Sequence, residues 1–333
     1  MLSDRISLES DVPLTPLTLR GALGGVLMGL ANLVPGISGG TMLVAAGVYP
    51  RFIEGIAEVS TLRFRLPSLT VLVSVAVSAF LAILLLAGPV KDLVVDHRWI
   101  MYSLFIGLTL GGLPVVWKMA RPANRSTWMG VALGFGIMIA LVVLQARGIT
   151  GSGESNAFLL GLGGLAGASA MILPGVSGGY LLLLLGQYVP ILSGIDAFKE
   201  ALKARDVQAL MEPFLGVVVP VGIGVVVGVV AVSNLLRFLL HRYEKATLGA
   251  LIGLLLGAIF GLWPFQASVE PVLGETVIKG EVVTAENLEG FDREDYPTAY
   301  FTPTARQTAS ALGIVLLGLG LTTAVARLGG EED

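Results

Sequence analysis

The chain has 333 residues, of which 54% are hydrophobic and only 14% charged, and its mean hydropathy is +0.83. Soluble domains carry about 25% charged residues, so this composition excludes an ordinary soluble globule and indicates an integral membrane protein. Cysteine is absent and histidine occurs twice, which excludes disulfides, thiolate sites and a histidine metal cage. No basic surface for nucleic acid is visible at a net charge of −3. We therefore expect no metal, no cofactor and no nucleic-acid partner.

In chain order, residues 1–16 are polar and are predicted to form a cytoplasmic tail. Two long apolar segments, 17–58 and 157–195, are interrupted by proline and glycine, and each is followed by three uninterrupted apolar segments. The uninterrupted segments have the length and hydropathy of membrane-spanning helices. They cover residues 69–86, 99–116, 128–144, 213–236, 247–263 and 308–325. The remaining stretch, 264–306, is an acidic insertion that we place outside the cell membrane.

This order of elements is an internal repeat that pairs residues 17–147 with residues 157–328. Pro35-Gly36-Ile37-Ser38-Gly39-Gly40 recurs as Pro174-Gly175-Val176-Ser177-Gly178-Gly179, which is 139 positions later. At the same shift Gly47 corresponds to Gly186 and Tyr49 to Tyr188. Chance would give five identical motif residues only about once in several hundred such chains, which indicates a duplication.

The orientation of the two repeats depends on what the broken segments do. If each one dips into the membrane and returns, each half has three crossings and the second half is inverted; if each one crosses, the halves are parallel. The inverted arrangement puts the short basic loops inside and the acidic insertion outside, as the positive-inside tendency requires. The parallel arrangement puts the basic loop 237–245 outside. We therefore predict an all-α polytopic membrane protein of two inverted repeats, each a re-entrant broken-helix hairpin plus three transmembrane helices.

The repeated motif must break a helix, because proline removes a backbone donor and glycine tolerates conformations that other residues avoid. Half-helices are predicted to restart over Thr41–Ile53 and Tyr180–Leu192, with free N–H groups that attract a phosphate or carboxylate. The alternative is that the small residues serve only close helix packing. The candidate phosphate-binding residues are Pro35, Gly36, Ser38, Gly39, Gly40, Thr41, Pro174, Gly175, Ser177, Gly178, Gly179 and Tyr180.

Some polar residues near the broken segments are candidate accessory residues. The alternative interpretations of these residues are an interhelical hydrogen bond, an interfacial anchor, and a position in a solvated loop or a local ion pair. Tyr49 and Tyr188 are expected to be interface or packing residues with their hydroxyls near water. The four accessory candidates are Asn32, Arg20, Arg51 and Glu54.

The predicted spans lack the groups that intramembrane catalysis usually needs. They contain no acidic pair, no Ser/His/Asp set and no histidine cluster. We therefore expect that the protein is not an enzyme.

The sequence Ala31-Asn32-Leu33-Val34-Pro35-Gly36-Ile37-Ser38-Gly39-Gly40-Thr41 and its echo from Met171 to Gly179 resemble the polyprenyl-phosphate transporters. That family includes bacterial undecaprenyl-phosphate translocases, and the resemblance extends from about Arg20 to the last span. It implies a flippase that returns polyprenyl phosphate across the cytoplasmic membrane for cell envelope assembly, with the motif residues at the substrate site. Pro50 and Val189 stand where an acidic residue often follows the motif tyrosine, which leaves a coupling ion, proton or sodium, unassigned.

Two other functions stay open. The same half-helix chemistry permits a transporter for a small water-soluble anion. An integral polyprenyl-pyrophosphate phosphatase is disfavoured, because it would need arginine or histidine beside the motif serine, where Gly39 and Gly178 stand. The expected partners are thus polyprenyl phosphate and membrane lipids; the oligomeric state is not predicted.

Overall fold

The computed structural model describes residues 14–32, 37–147, 155–278, 281–291 and 296–328. Two of the predicted site residues, Pro35 and Gly36, lie outside these ranges. The helices of the first half are α1 (Leu14–Asn32), α2 (Gly39–Ala45), α3 (Tyr49–Ser60), α4 (Leu66–Asp96), α5 (Arg98–Ala120) and α6 (Arg125–Ala146). Those of the second half are α7 (Ala157–Ile172), α8 (Gly178–Leu184), α9 (Tyr188–Ala204), α10 (Val207–Pro213), α11 (Val219–Arg242), α12 (Glu244–Gly261) and α13 (Ala305–Leu328). A π-helical turn, Phe214–Val218, joins α10 to α11.

The fold is mainly helical and multi-pass. Seven helical stretches among the described residues are long and apolar enough to cross a membrane. Six of them overlap the predicted spans, and the seventh is α1, the first arm of the first broken segment. Helices α8 and α9 form a pair bent by 111° across a short break. The prediction of a polytopic helical membrane protein is therefore confirmed at this level.

The acidic insertion adds short strands to this mainly helical fold, and its described residues also contain a 3₁₀ turn, Leu288–Gly290. Strands β1 (Gln266–Ser268) and β4 (Thr298–Tyr300) pair antiparallel, as do β2 (Val277–Ile278) and β3 (Glu281–Val282). Strands β2 and β3 contain valine and isoleucine, and β4 contains threonine and tyrosine, residue types that favour extended structure over helix.

Helices of this bundle approach closely where glycine faces a neighbouring backbone. In the pair α6–α12, Gly130 lies against Ala246 and Gly134 against Ala250, so that a Cβ at either glycine would overlap a carbonyl oxygen. The contacts advance in the same direction along both helices, and the two helices are therefore parallel. Small residues at such positions are typical of membrane helix packing.

Three further helix pairs are parallel by the same criterion, namely α5–α13, α1–α4 and α7–α11. Two of the four parallel pairs, α6–α12 and α5–α13, join helices from different halves of the chain. The contacts are Gly107–Val315 and Gly111–Thr322 for α5–α13, Gly21–Ser74 and Gly29–Ala82 for α1–α4, and Gly164–Val221 and Ala168–Gly228 for α7–α11.

Helices α1 and α7 are shorter than the neighbours against which they pack. The last close glycine contact of α1 is at Ala82 of α4, and α4 continues to Asp96, about 20 Å further at 1.5 Å per residue. Helix α7 contacts α11 at Gly228, and α11 continues to Arg242. Both of the shorter helices thus end part-way along a longer one.

The prediction of uninterrupted half-helices over Thr41–Ile53 and Tyr180–Leu192 is wrong, because each has a second break. Gly47 and Gly186 have φ of +70° and +69°, a left-handed conformation that ends a helix. The same hydrogen bonds follow at both breaks: Val48 N–H donates to Leu43 O at 3.1 Å, and Gln187 N–H donates to Leu182 O at 2.8 Å. The chain therefore turns twice, once at the motif and once at the glycine.

Replacement of Gly47 by alanine isolates the cost of the second turn, because a Cβ there meets no atom within 4 Å. We expect Gly47→Ala to destabilise the protein by about 1–2 kcal/mol, the cost of a left-handed non-glycine residue. Gly136→Ala is the control, since its Cβ also enters open space but its φ is helical, and it should be neutral or slightly stabilising. Thermal unfolding in detergent measures both, and equal melting temperatures would contradict the assignment.

Candidate phosphate site at the two motifs

The two motif copies are in direct contact through side chains of the first copy. Ser38 Oγ donates to the carbonyl oxygen of Leu173 at 3.0 Å, and Thr41 Oγ1 accepts from the N–H of Gly175 at 2.8 Å. Helix α3, which follows the first copy, adds Tyr49, whose hydroxyl donates to Ile172 O at 2.9 Å. The expectation that the Tyr49 hydroxyl lies near water is wrong, since this side chain is only 3% exposed.

Glycine is required at this junction because backbones meet there. A Cβ on Gly40 would stand 2.7 Å from Ile172 O, and one on Gly175 would stand 2.7 Å from Leu254 O on α12. Gly175 also has a φ of +89°, which only glycine adopts readily. The second copy is thus held between the first copy on one side and α12 on the other.

The two copies differ in accessibility. Ser38 and Thr41 are buried, whereas Ser177, Gly178 and Gly179 are only half-buried. The Ser177 side chain does not cap α8, and it makes no hydrogen bond within the described part of the chain. Tyr180 is 7% exposed, and its buried hydroxyl also lacks a partner there. The free polar groups of the junction therefore belong to the second copy.

The junction offers donors and no metal-binding set. The first N–H groups of α2 and α8 have no partner inside their helices, as at any helix start. Over the described residues, no group of three His, Asp or Glu side chains could hold a metal ion. Such an arrangement suits an anion bound by backbone and hydroxyl donors.

The protein-family model described as undecaprenyl phosphate translocase-like matches residues 28–277, which include both motif copies. The chain belongs to this family. The resemblance noted from the motifs is thereby confirmed.

Two relatives of this chain are named polyprenyl-phosphate transporter. The protein of Vibrio cholerae serotype O1 is 29% identical over 314 residues, which cover 89% of this chain and 91% of the relative. The protein of Staphylococcus aureus is 30% identical over 251 residues, 73% of this chain and 85% of the relative. No solved structure matches the chain.

Among the four accessory candidates, only Asn32 lies at the junction. A Cβ on Gly39 would stand 3.1 Å from the Asn32 amide oxygen, so this side chain lies against the start of α2. Arg20 is half-buried on α1, and Arg51 is half-buried on α3. Glu54 is neither in a solvated loop nor in a local ion pair: its Oε1 lies 2.9 Å from Arg237 Nη2 on α11, and the two side chains are 13% and 29% exposed.

Sequence reasoning missed the polar contacts that accompany this ion pair. Asn234 of α11 donates from Nδ2 to Ser60 Oγ at 2.9 Å. Glu58 is 3% exposed; it accepts from Ser68 Oγ at 2.6 Å and pairs with Arg65 at 3.1 Å. Two carboxylates four residues apart in an apolar segment were a usable signal, because they share one helix face. The partner of Glu54 on α11 could not be found, since nothing in the spacing joins such distant segments.

The ion pair between α3 and α11 should couple the two halves measurably. We expect Glu54→Arg and Arg237→Glu each to destabilise the protein, and the double variant to recover about 1–2 kcal/mol of that loss. The exposed pair Asp196–Lys199, with side chains 67% and 58% exposed, is the control and should show almost no coupling. Thermal unfolding of the single and double variants gives the coupling energy; a value near zero for both pairs would contradict a tie between the halves.

Proposed function

We propose that the protein is a flippase for polyprenyl phosphate, such as undecaprenyl phosphate, in the cytoplasmic membrane. It would return the lipid carrier after use, so that the carrier can be reloaded for cell envelope synthesis. Membership in the undecaprenyl phosphate translocase-like family and the names of two relatives that match most of the chain support this substrate.

The observation that carries the proposed site is the junction of the two motifs. A phosphate is costly to move through hydrocarbon unless donors replace its water. We place it beside the half-buried second copy, where Ser177 and the N–H groups of Gly178 and Gly179 are accessible, with Asn32 next to Gly39 nearby. The polyprenyl tail would stay in the lipid.

The parallel helix pairs support the inverted arrangement of the repeats. Helices α5 and α6 are joined by a short loop, 121–124, and run in opposite directions. Helix α13 is parallel to α5, so α13 is antiparallel to α6. Because α6 and α13 are the last helices of their repeats, the repeats themselves run in opposite directions.

The positions of α1 and α7 support re-entrant hairpins. Helix α1 is parallel to α4, and α7 is parallel to α11. The short turns between successive helices and the two parallel pairs between the halves then imply that α1 and α7 run in opposite directions. Two such helices would end on opposite sides if both crossed the membrane. Instead their C-terminal ends are linked through the junction, since Gly39 lies against Asn32 and Gly40 against Ile172. This linkage supports a position of both tips within the membrane, where irregular backbone needs protein partners.

The charged turns support a cytoplasmic position for one end of the bundle. In the inverted arrangement the turns after α3 and α5 and the C-terminal end of α11 share one side, and they carry Arg63, Arg65, Arg121 and Arg242. The acidic insertion lies on the other side. This distribution follows the positive-inside tendency.

Alternating access would come from rocking of one repeat against the other. Helix α3 packs on α11 at the cytoplasmic end and is tied by Glu54–Arg237, whereas the corresponding helices α9 and α4 make no comparable contact over their described residues. This difference supports a state that is closed towards the cytoplasm and accessible from the outer leaflet, where spent carrier is collected.

A transporter for a small anion would use the same donors. A competition experiment distinguishes this function from that of the flippase. Free phosphate should compete poorly with polyprenyl phosphate if the lipid is the substrate. A pyrophosphatase would release phosphate from the pyrophosphate lipid, which we do not expect.

Transport can be tested in liposomes that contain polyprenyl phosphate, by following the fraction accessible to an external membrane-impermeant phosphatase. We expect Gly178→Leu to lower the transbilayer rate about tenfold or more, because leucine fills the space that the phosphate needs. The nearest atom to a Cβ at this position is the Gly167 carbonyl oxygen at 3.3 Å, a contact that a small local shift relieves.

Gly136→Leu is the matched control, because a Cβ there enters open space on α6. Its rate should equal that of the unmodified protein. Unchanged transport in both Gly178→Leu and Gly39→Leu would overturn the proposed site.

The topology can be tested by single-cysteine labelling, because the chain has no native cysteine. Leu62 and Val207 are 79% and 74% exposed and follow the two predicted re-entrant hairpins. We expect a membrane-impermeant thiol reagent to reach Leu62→Cys only from the cytoplasmic side and Val207→Cys only from the outside. Labelling of both from one side would refute the inverted arrangement.

A further inference from the structure

We infer that the first motif copy is a clamp for the second: Ser38, Thr41 and Tyr49 are positioning residues that fix the second copy's backbone, and their hydroxyls do not bind the phosphate. This inference rests on the proposed function for what the junction binds. It assigns different roles to two copies that look equivalent in sequence.

The first step concerns the C-terminal end of α7. The last carbonyl groups of a helix have no partner within it, and in a membrane each unpaired group is costly. Ile172 O accepts from the Tyr49 hydroxyl, and Leu173 O accepts from Ser38. Donors from the first half of the chain therefore complete the end of a helix in the second half.

The second step concerns the turn that follows α7. The N–H of Gly175 donates to Thr41 Oγ1, and its left-handed φ places the chain against Leu254 of α12. A valine at position 41 would fill the same space but leave this buried N–H without an acceptor. Thr41 thus fixes the path of the backbone immediately before Ser177.

The third step is electrostatic. The carbonyl end of α7 carries a partial negative charge, which repels a phosphate held nearby. Hydroxyl donors on two of its carbonyl groups reduce that repulsion. At the same time these hydrogen bonds occupy the first copy, whereas the Ser177 hydroxyl has no partner among the described residues. The first copy prepares the site, and the second copy is left open to the ligand.

The fourth step is a difference in sequence. Thr41 corresponds to Tyr180 at the repeat shift. A tyrosine hydroxyl lies at the far end of an aromatic ring and cannot repeat the short contact that Thr41 makes with Gly175. The contact of Thr41 with the Gly175 N–H therefore belongs to one copy, and an exchange of roles between the copies would lose it.

Hydrogen exchange and lipid binding together test the clamp. We expect Thr41→Val to raise amide exchange over residues 173–180 about tenfold in detergent, because the N–H of Gly175 loses its acceptor. Binding of polyprenyl phosphate should weaken in parallel. Thr41→Ser keeps the hydroxyl and should restore both properties. Tyr49→Phe should act like Thr41→Val.

Thr322→Val is the matched control, since Thr322 is also buried and its hydroxyl donates to Leu108 O at the α5–α13 contact. It should leave exchange over residues 173–180 and lipid binding unchanged. Weaker binding in Thr41→Val with unchanged exchange would mean that Thr41 binds the lipid directly and would overturn the clamp. If the unmodified protein binds no polyprenyl phosphate while the exchange effects remain, the proposed substrate fails and the clamp stands.

Discussion

The structure depends on one constraint: a broken backbone inside an apolar segment must find partners for its polar groups within the protein. The motif breaks α1 from α2 and α7 from α8, and the second break at each glycine adds a further turn. The first copy meets this requirement by giving its side chains to the second copy's backbone. The two breaks therefore stabilise each other, and neither could be placed in hydrocarbon alone.

Close helix packing determines where those breaks meet. Parallel pairs with glycine at their contacts place α1 beside α4 and α7 beside α11. Two further pairs, α5–α13 and α6–α12, each contain one helix from each half. These two pairs hold the halves together as one bundle, the frame of the structure, because the last helix of each half packs on the other half. Within the frame, helices α2 and α3 of the first hairpin pack on α5 and α11, whereas α8 and α9 make no comparable contacts with α12 and α4 over their described residues, and the second hairpin contacts α12 through Gly175. The more loosely packed hairpin is also the one with the accessible motif.

The scarcity of charge fits binding by backbone donors. A phosphate carried by glycine-rich tips needs no buried arginine, and Glu54–Arg237 lies at the α3–α11 contact and outside the motif contacts. An ion pair with both partners mostly buried holds its two helices together, because separation of its charges in a poorly hydrated environment is costly. Its position between the halves fits a contact that forms in one state of a transporter and separates in the other.

Particular residues show how much of the structure could be predicted from the sequence. Hydropathy identified the spanning helices because apolar length is a local property, and the duplicated motif identified the family and the two breaks. The second turns at Gly47 and Gly186 were missed, since a glycine in an apolar run also fits helix packing. The strands of the insertion were missed because short, weakly patterned segments leave little local signal.

The sequence by itself therefore determined the membrane class, the repeat and the positions of the two motif breaks, all of which follow from local composition and spacing. Only the tertiary structure decided that Ser38, Thr41 and Tyr49 bond to the other copy, that Glu54 pairs with Arg237, and that the two copies differ in accessibility. The physical reason is that these contacts join segments more than a hundred residues apart, and they are fixed by the packing of whole helices.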